Sequence, residues 1–359
     1  MAGPRPPCTD MTMTSSWRQR FDKAKTHVLN GDPTALVNET KQYLYWKGIL
    51  NPSEAAPAPP EESALQRPTE EEFWDGVDVE VGRDVAWLAP CNGALGAWAE
   101  EALFGHMKLD AALPELMGEE GRRSPKYALV LGCGDMRSEH SMLIHPDVPF
   151  DRIDAYDVST QSMQRAKEFT DSLGLKVSYQ AGDANTMDFP ADTYSLVICY
   201  FAYHHFREVD RVAAQIAKTL TDGGIFVTID YVGPPRLQYS QEQLYWAHHV
   251  LNTLSARYRK ERTGAVRTQI HSMPLDQISP DEAPCSDQIL DALARNLDVT
   301  HQYNWAGLLY PLLEGIGGNF ADTPEDRELV RFFFDLDKLL VESGRIGPNY
   351  TMTVARKPR

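Results

Sequence analysis

The segment 126–140, KYALVLGCGDMRSEH, narrows most sharply what this chain can fold into. A five-residue apolar run, 127–131, drives into a turn carrying Gly132 and Gly134. A run that is apolar throughout, rather than alternating, reads as a strand covered on both faces, the kind found in parallel sheets flanked by helices. Glycines at such a turn let the backbone approach a ligand closely, and a helix start beyond it presents unpaired N–H groups. A dinucleotide fingerprint needs G-x-G-x-x-G, and Arg137 stands where its third glycine belongs. The bulk of Met136 also argues against a tightly cradled pyrophosphate, while a ligand without phosphates tolerates it. By itself, a glycine pair after a strand is often only a tight turn.

The downstream pattern repeats this texture. Apolar runs near 127–131, 152–156, 176–180, 194–200 and 224–230 predict strands, and the stripes Met163, Ala166, Phe169, Leu173 and Val209, Val212, Ile216, Leu220 predict helices between them. After the fifth run comes a long excursion with a helix predicted over 241–258, then a sixth strand at 299–304. A helix opened by Thr323 and Pro324, carrying Leu329, Phe332, Phe333, Leu336 and Leu340, is expected to stop at Gly344, and YTMTVARK alternates like an edge strand.

The N-terminal part reads differently. Trp17, Phe21, Ala24 and Val28 mark an amphipathic helix ending at Asn30-Gly31, and Asp32-Pro33 opens a second. Five prolines between positions 51 and 68 suit neither helix nor strand, and Thr69 with Glu72 forms a capping box for a further helix. The predicted organisation is a helical cap with a Pro-rich segment over 1–120, then a domain over 121–359 with a lid insertion at about 234–297.

The formal charge of −16 would repel a polyanion, which argues against nucleic acid as substrate. RYRKER at 257–262 reads as the solvated end of a helix. The five cysteines are dispersed, odd in number and without a C-x-x-C pair, so neither a disulfide framework nor a zinc knuckle is expected. No run has signal-peptide character or the length to span a bilayer, so a cytoplasmic protein without membrane partners is expected.

Three signals fall at successive strand ends, where open sheets of this type bind ligands. Asp157 in RIDAYDVST lies 23 residues beyond Gly134 and suits a carboxylate accepting from two ribose hydroxyls, or else a helix cap rivalled by Ser159 and Thr160. Asp183 in YQAGDANTM suits an acceptor for an adenine amino group, or a simple turn aspartate. VICYFAYHHF delivers Tyr200, Phe201 and two histidines to the same edge.

LVLGCG, AYDVSTQSMQRAKE, GDANTMDFP, YSLVICYFAYHHF and LTDGGIFVTIDY resemble, in order and spacing, the class I S-adenosylmethionine-dependent methyltransferases over residues 126–231. The resemblance implies an α/β fold, a Rossmann-like, seven-stranded, mostly parallel sheet with helices on both faces and a final antiparallel strand. It also implies S-adenosyl-L-methionine as cofactor. By the same resemblance Gly132 and Gly134 line its methionine part, Asp157 binds the ribose, Asp183 and Ala184 meet the adenine, and Tyr200 and Phe201 border the methyl. Cys133, Val158 and Met163 complete the expected cofactor neighbours. Two departures stand out: Val130 replaces a common acidic residue, and Met136 replaces the third glycine, leaving Asp135 or Arg137 to help hold the amino-acid end.

Methyl transfer is an in-line displacement, so the protein's main work is alignment, and a hydroxyl acceptor also needs a base. His205 is the first candidate, with His204 and Tyr203 beside it; the alternative is that an imidazole packs by the cofactor without moving a proton. Tyr231 is a second-line contact, and of His248 and His249 at least one is expected to be surface or core lining. Tyr43, Tyr45 and Trp46 wall an acceptor pocket or pack in a core. No H-x-x-x-H or carboxylate cluster suggests a metal. DYVGPPRLQYSQEQL and LLEGIGGNF loosely resemble bacterial methyltransferases of glycan assembly. The expected function is O-methylation of a small molecule, a sugar or other hydroxylated metabolite. Its rivals are a nicotinamide-dependent reductase and a non-catalytic binding protein on the same fold.

Overall fold

The computed structural model describes residues 92–105, 108–261, 264–275, 278–279 and 281–358. The helices expected before residue 92, the Pro-rich segment, and Tyr43, Tyr45 and Trp46 lie outside these residues.

In chain order the elements are α1 (Asn92–Phe104), α2 (Leu109–Gly121), β1 (Tyr127–Leu131), α3 (His140–Leu143), β2 (Arg152–Asp157), α4 (Thr160–Ser172), β3 (Ser178–Ala181), β4 (Tyr194–Tyr200), α5 (Val209–Thr219) and β5 (Leu220–Tyr231). They continue with α6 (Gln241–Thr253), α7 (Ile289–Asn296), β6 (Asp298–Trp305), α8 (Leu309–Leu313), α9 (Pro324–Glu342) and β7 (Tyr350–Arg356). The seven strands lie in the order β3-β2-β1-β4-β5-β7-β6. β1 pairs in parallel with β2 and with β4, β2 with β3 and β4 with β5, while β7 runs antiparallel to both its neighbours. This is the mostly parallel sheet anticipated, and the order reverses between β1 and β4, where a crevice opens beyond the strand ends.

Alternation along the central strands builds two separate cores. Ala128, Val130, Leu196 and Ile198 face α2, α3 and α4. Leu129, Leu131, Val197 and Cys199 face α5 and α7 on the other side. Strands buried on both faces need no polar alternation, which is why they read as continuous apolar runs. A third cluster joins α1, α6, α8 and α9 around Tyr303 and Trp305 of β6.

Several boundaries differ from expectation for local reasons. Ser240 and Gln243 form a reciprocal capping box that starts α6 where predicted. The helix ends at Thr253 instead of running to 258, because Leu254 is extended and Tyr258 turns to stack on Phe320 at 4.7 Å. β3 is shifted two residues later and is short and largely exposed, as an edge strand tends to be. On α9 the buried stripe is Val330, Phe333, Phe334 and Leu340, whereas Phe332 is 59% exposed. The same stripe carries Asp337, whose buried carboxylate accepts from the N–H groups of Ala306 (2.7 Å), Leu308 (2.6 Å) and Leu309 (3.2 Å). It thereby closes the turn between β6 and α8. Burial pushes its carboxyl up to about 6 despite those bonds.

Candidate active site

The first turn after β1 is shaped by contact as much as by dihedral. Gly132 has φ of +63°, and a Cβ placed there would lie 2.3 Å from Cβ of Ala202, at the foot of the loop after β4. Gly134, at φ +47°, has open space where its side chain would be. The Cys133 N–H donates to the Tyr156 carbonyl at 3.0 Å, tying the turn to β2. Met136 keeps the left-handed φ of +61° that a third glycine would take, a strain of about 1 kcal/mol. Its side chain is fully buried among the residues of α2 and α3, so its bulk fills the core. Arg137 pairs with Asp135 at 3.3 Å and lies over the Phe169 ring at 4.5 Å.

Asp157 ends β2 with its carboxylate folded back on this turn. One oxygen accepts from the Gly134 N–H and the other from the Ser159 N–H, both at 2.8 Å. A carboxylate has about four lone-pair sites, so with the Gly134, Ser159 and Val158 N–H groups engaged it keeps capacity for a further donor. Burial raises the Asp157 carboxyl above its usual range, against the backbone N–H groups of Ser159, Gly134 and Val158 and the nearby His205, which lower it. The expected rival for the helix cap is confirmed, since Ser159 Oγ accepts from Ser162 N and caps α4.

Asp183 follows the adjoining strand, whose Ala181 is the register partner of Asp157. It is exposed and accepts from the backbone and side chain of Asn185 at 2.8 Å. Ala184 is buried beside it, Val158 is half-buried, and Met163 packs in the core under α4. Tyr200 points away from the crevice, its hydroxyl 3.2 Å from the Met142 sulfur.

A carboxyl group also lies beneath the turn. Glu139 is only 4% exposed, and burial, with repulsion from Asp135 and Asp157, pushes it up to about 8. A carboxyl whose folded value exceeds its ordinary 4.5 stabilises fully below 4.5 and loses that contribution as pH rises through about 8. Glu139→Gln is therefore expected to melt near the wild-type temperature at about pH 5 and progressively above it toward about pH 9, in thermal unfolding followed by circular dichroism. Equal pH slopes for the two proteins would contradict this.

The loop after β4 forms the opposite wall. Phe201 takes φ of +52° and is 47% exposed, while Ala202, Tyr203 and His204 turn inward. Asp230, fully buried near the end of β5, holds this loop. Its Oδ2 accepts from the N–H groups of Ala202 (3.0 Å) and Tyr203 (2.7 Å), and its Oδ1 from those of His204 (3.2 Å) and Tyr231 (2.8 Å). The same Oδ1 lies 2.6 Å from His204 Nδ1, and the other ring nitrogen, Nε2, is 3.3 Å from Glu282. Burial alone would lower the His204 value, but Asp230 and then Glu282 push it up to about 10. Glu282 is correspondingly held low, at about 2, by His204 against the opposing effect of burial.

His205 is half-buried, its ring 4.1 Å from that of His204, and its Nδ1 is 3.1 Å from the Asp281 carbonyl. A carbonyl only accepts, so Nδ1 carries hydrogen and the lone pair of the neutral ring sits on Nε2. Tyr203 is fully buried and donates its hydroxyl to the Val209 carbonyl at 2.8 Å, which makes it a core residue and removes it from the catalytic candidates. Tyr231 likewise donates to Pro234, at 2.9 Å. His248 Nε2 accepts from the Ile270 N–H at 2.7 Å, a structural role, and His249 is exposed.

Residues 128–224 match a family model described as a methyltransferase domain. This segment is a class I S-adenosylmethionine-dependent methyltransferase domain. It is 29% identical over 79 residues to the uncharacterized methyltransferase YcgJ of Bacillus subtilis, covering 22% of this chain and 31% of that protein. It is also similar to demethylmenaquinone methyltransferases. One, of Thermus thermophilus, is 22% identical and spans 32% of this chain and 51% of that protein. The other, of Deinococcus radiodurans, is 24% identical and spans 41% of this chain and 58% of that protein. The chain thus spans between 31% and 58% of the length of these curated relatives. The crystal structure of YcgJ aligns with a TM-score of 0.37 and 18% identity, over 69% of this chain and 99% of that one. A methyltransferase of Mesorhizobium loti aligns at 0.39 and 17%, over 68% and 95%.

Beyond the matched segment 128–224 lie residues of the candidate site that sequence reasoning passed over. Asp230 ends a strand just as Asp157 does, and that position was the available signal. Glu282 and Asp281 belong to a segment without periodicity. They are placed by Arg236, which donates to the carbonyls of Ser279 (2.8 Å) and Glu282 (3.0 Å), and no pattern near 282 announces them.

Proposed function

We propose that this protein transfers the methyl group of S-adenosylmethionine to a hydroxyl of a small molecule, a sugar or other polar metabolite. The carrying observation is the Asp157 carboxylate at the end of β2, fixed to the glycine turn through Gly134 and to the start of α4 through Ser159, with acceptor capacity left. The ribose of the cofactor supplies the donor, and Asp183 after the next strand supplies the acceptor for the adenine amino group. Gly134, with open space above it, suits the methionine portion.

On this reading the acceptor oxygen attacks the methyl carbon as the carbon–sulfur bond breaks. The sulfur keeps the electron pair, which yields S-adenosylhomocysteine, and the hydroxyl proton leaves on the His205 side. His204, held between Asp230 and Glu282, positions the loop and does not serve as the base. Phe201 borders the transferred methyl. The segment 234–297 shapes the acceptor pocket.

Titration calorimetry with S-adenosylhomocysteine and with NADH tests the reading. Stoichiometric binding of the nucleoside and none of the dinucleotide is expected. Preference for the dinucleotide would replace it with the reductase alternative, and nucleoside binding without turnover on any hydroxylated acceptor would leave a binding protein.

A further inference from the structure

We infer that His204, His205 and Glu282 form a binding site for a divalent transition-metal ion of the zinc class. One ligand atom from each of the three lies within 4.8 Å of the others. The His204 Nε2 to Glu282 distance, 3.3 Å, already equals the edge of a tetrahedron around an ion with ligands at about 2.0–2.2 Å. The remaining ligand needs only a small side-chain adjustment. Two imidazoles and one carboxylate are a familiar set for an ion that keeps a position open for substrate or water.

The groups behind the ligands supply the independent support. Metal-bound histidines almost always donate their other ring nitrogen to a carboxylate or a backbone carbonyl, which fixes the tautomer and aims the lone pair. Here each histidine has one of those two partners. His204 Nδ1 faces the buried Asp230 carboxylate at 2.6 Å, and His205 Nδ1 faces the Asp281 carbonyl at 3.1 Å. Both rings are therefore turned to present Nε2, and Glu282 arrives from the chain next to Asp281. Arg236 fixes that segment through the carbonyls of Ser279 and Glu282, so the third ligand is held by backbone as well. Arg207 pairs with the Asp281 side chain, which keeps that carboxylate engaged outside the ligand set.

Sequence spacing hid the set because two ligands are adjacent and the third comes from a distant loop. What the ion would do rests on the function proposed above: with His205 Nε2 engaged as a ligand, the ion would take over from the imidazole by binding the acceptor oxygen and lowering the pKa of its hydroxyl, the proton passing to solvent, and would favour acceptors with two neighbouring oxygens able to chelate. Whether it binds does not depend on that reading.

The test is cobalt(II) titration of the chelator-treated full-length protein, followed by visible d–d absorption, with zinc displacing it in calorimetry. One ion per chain is expected, with affinity lowered at least about tenfold in His205→Gln and in Glu282→Gln. Cobalt or zinc should raise the melting temperature of wild type and not of the variants. His205 is half-buried, whereas Glu282 pairs with a buried imidazole, so His205→Gln decides the matter should Glu282→Gln unfold. Absence of stoichiometric binding to wild type, or undiminished binding to His205→Gln, would overturn the site. Metal binding without S-adenosylhomocysteine binding would uphold the site and remove the methyltransferase reading.

Discussion

Asp230→Ala is expected to cost about 3–5 kcal/mol of folding stability and to abolish activity, measured by urea denaturation and turnover. The carboxylate is wholly buried and accepts four backbone N–H groups from the loop after β4 and from the end of β5. Alanine leaves those donors without their acceptor in a dry place. It also removes the closer partner of His204, so that the imidazole faces Glu282 alone across 3.3 Å. Asp230→Asn, close in volume, retains one acceptor oxygen and places an amide donor toward N–H groups, so it should fall between alanine and wild type. A loss below about 1 kcal/mol for the alanine variant would mean that these bonds do not hold the loop.

The second large effect concerns the cofactor. Asp157→Ala should weaken S-adenosylhomocysteine binding by about ten- to a hundredfold in calorimetry, since a hydrogen bond to a charged acceptor, worth about 1.5–3 kcal/mol, is removed. The turn loosens at the same time, because Gly134 and Ser159 lose their acceptor. Asp183→Ala, an exposed residue bonded only within its own turn, should lose far less. An Asp157→Ala protein binding as tightly as wild type would remove the ribose contact and with it the basis for the proposed function.

Much of this architecture was visible in the chain. The central strands announce themselves because both faces are covered, so Leu129 and Val130 serve opposite cores with equal need for apolar character. Helix starts at Ser159, Ser240 and Thr323 were legible because a cap is a local hydrogen bond. What stayed hidden involves partners far apart in sequence. Asp337 looks like an ordinary polar residue on a helix, yet it organises a turn some thirty positions earlier, |i−j| = 31 to Ala306. Met136 shows another limit: its place in the glycine turn is plain in the sequence, while the burial of its side chain in the core came only with the fold. The meeting of Gly134 with Asp157, and the place of Asp183 just beyond the neighbouring strand, were legible because strand ends converge in a doubly wound sheet. The partners that decide the state of the histidines, Asp230 and Glu282, came only with the fold.

The two sides of the crevice have different origins. Gly132, Gly134, Asp157 and Asp183 sit on turns next to the sheet strands, whereas Asp281 and Glu282 ride on a connection held by side chains, among them Arg236, Arg207 and the two histidines. On the function proposed here, selectivity for the methylated compound is in that sense exchangeable: a different connection between β5 and α7 would redefine the acceptor while leaving the proposed nucleoside cradle as it stands.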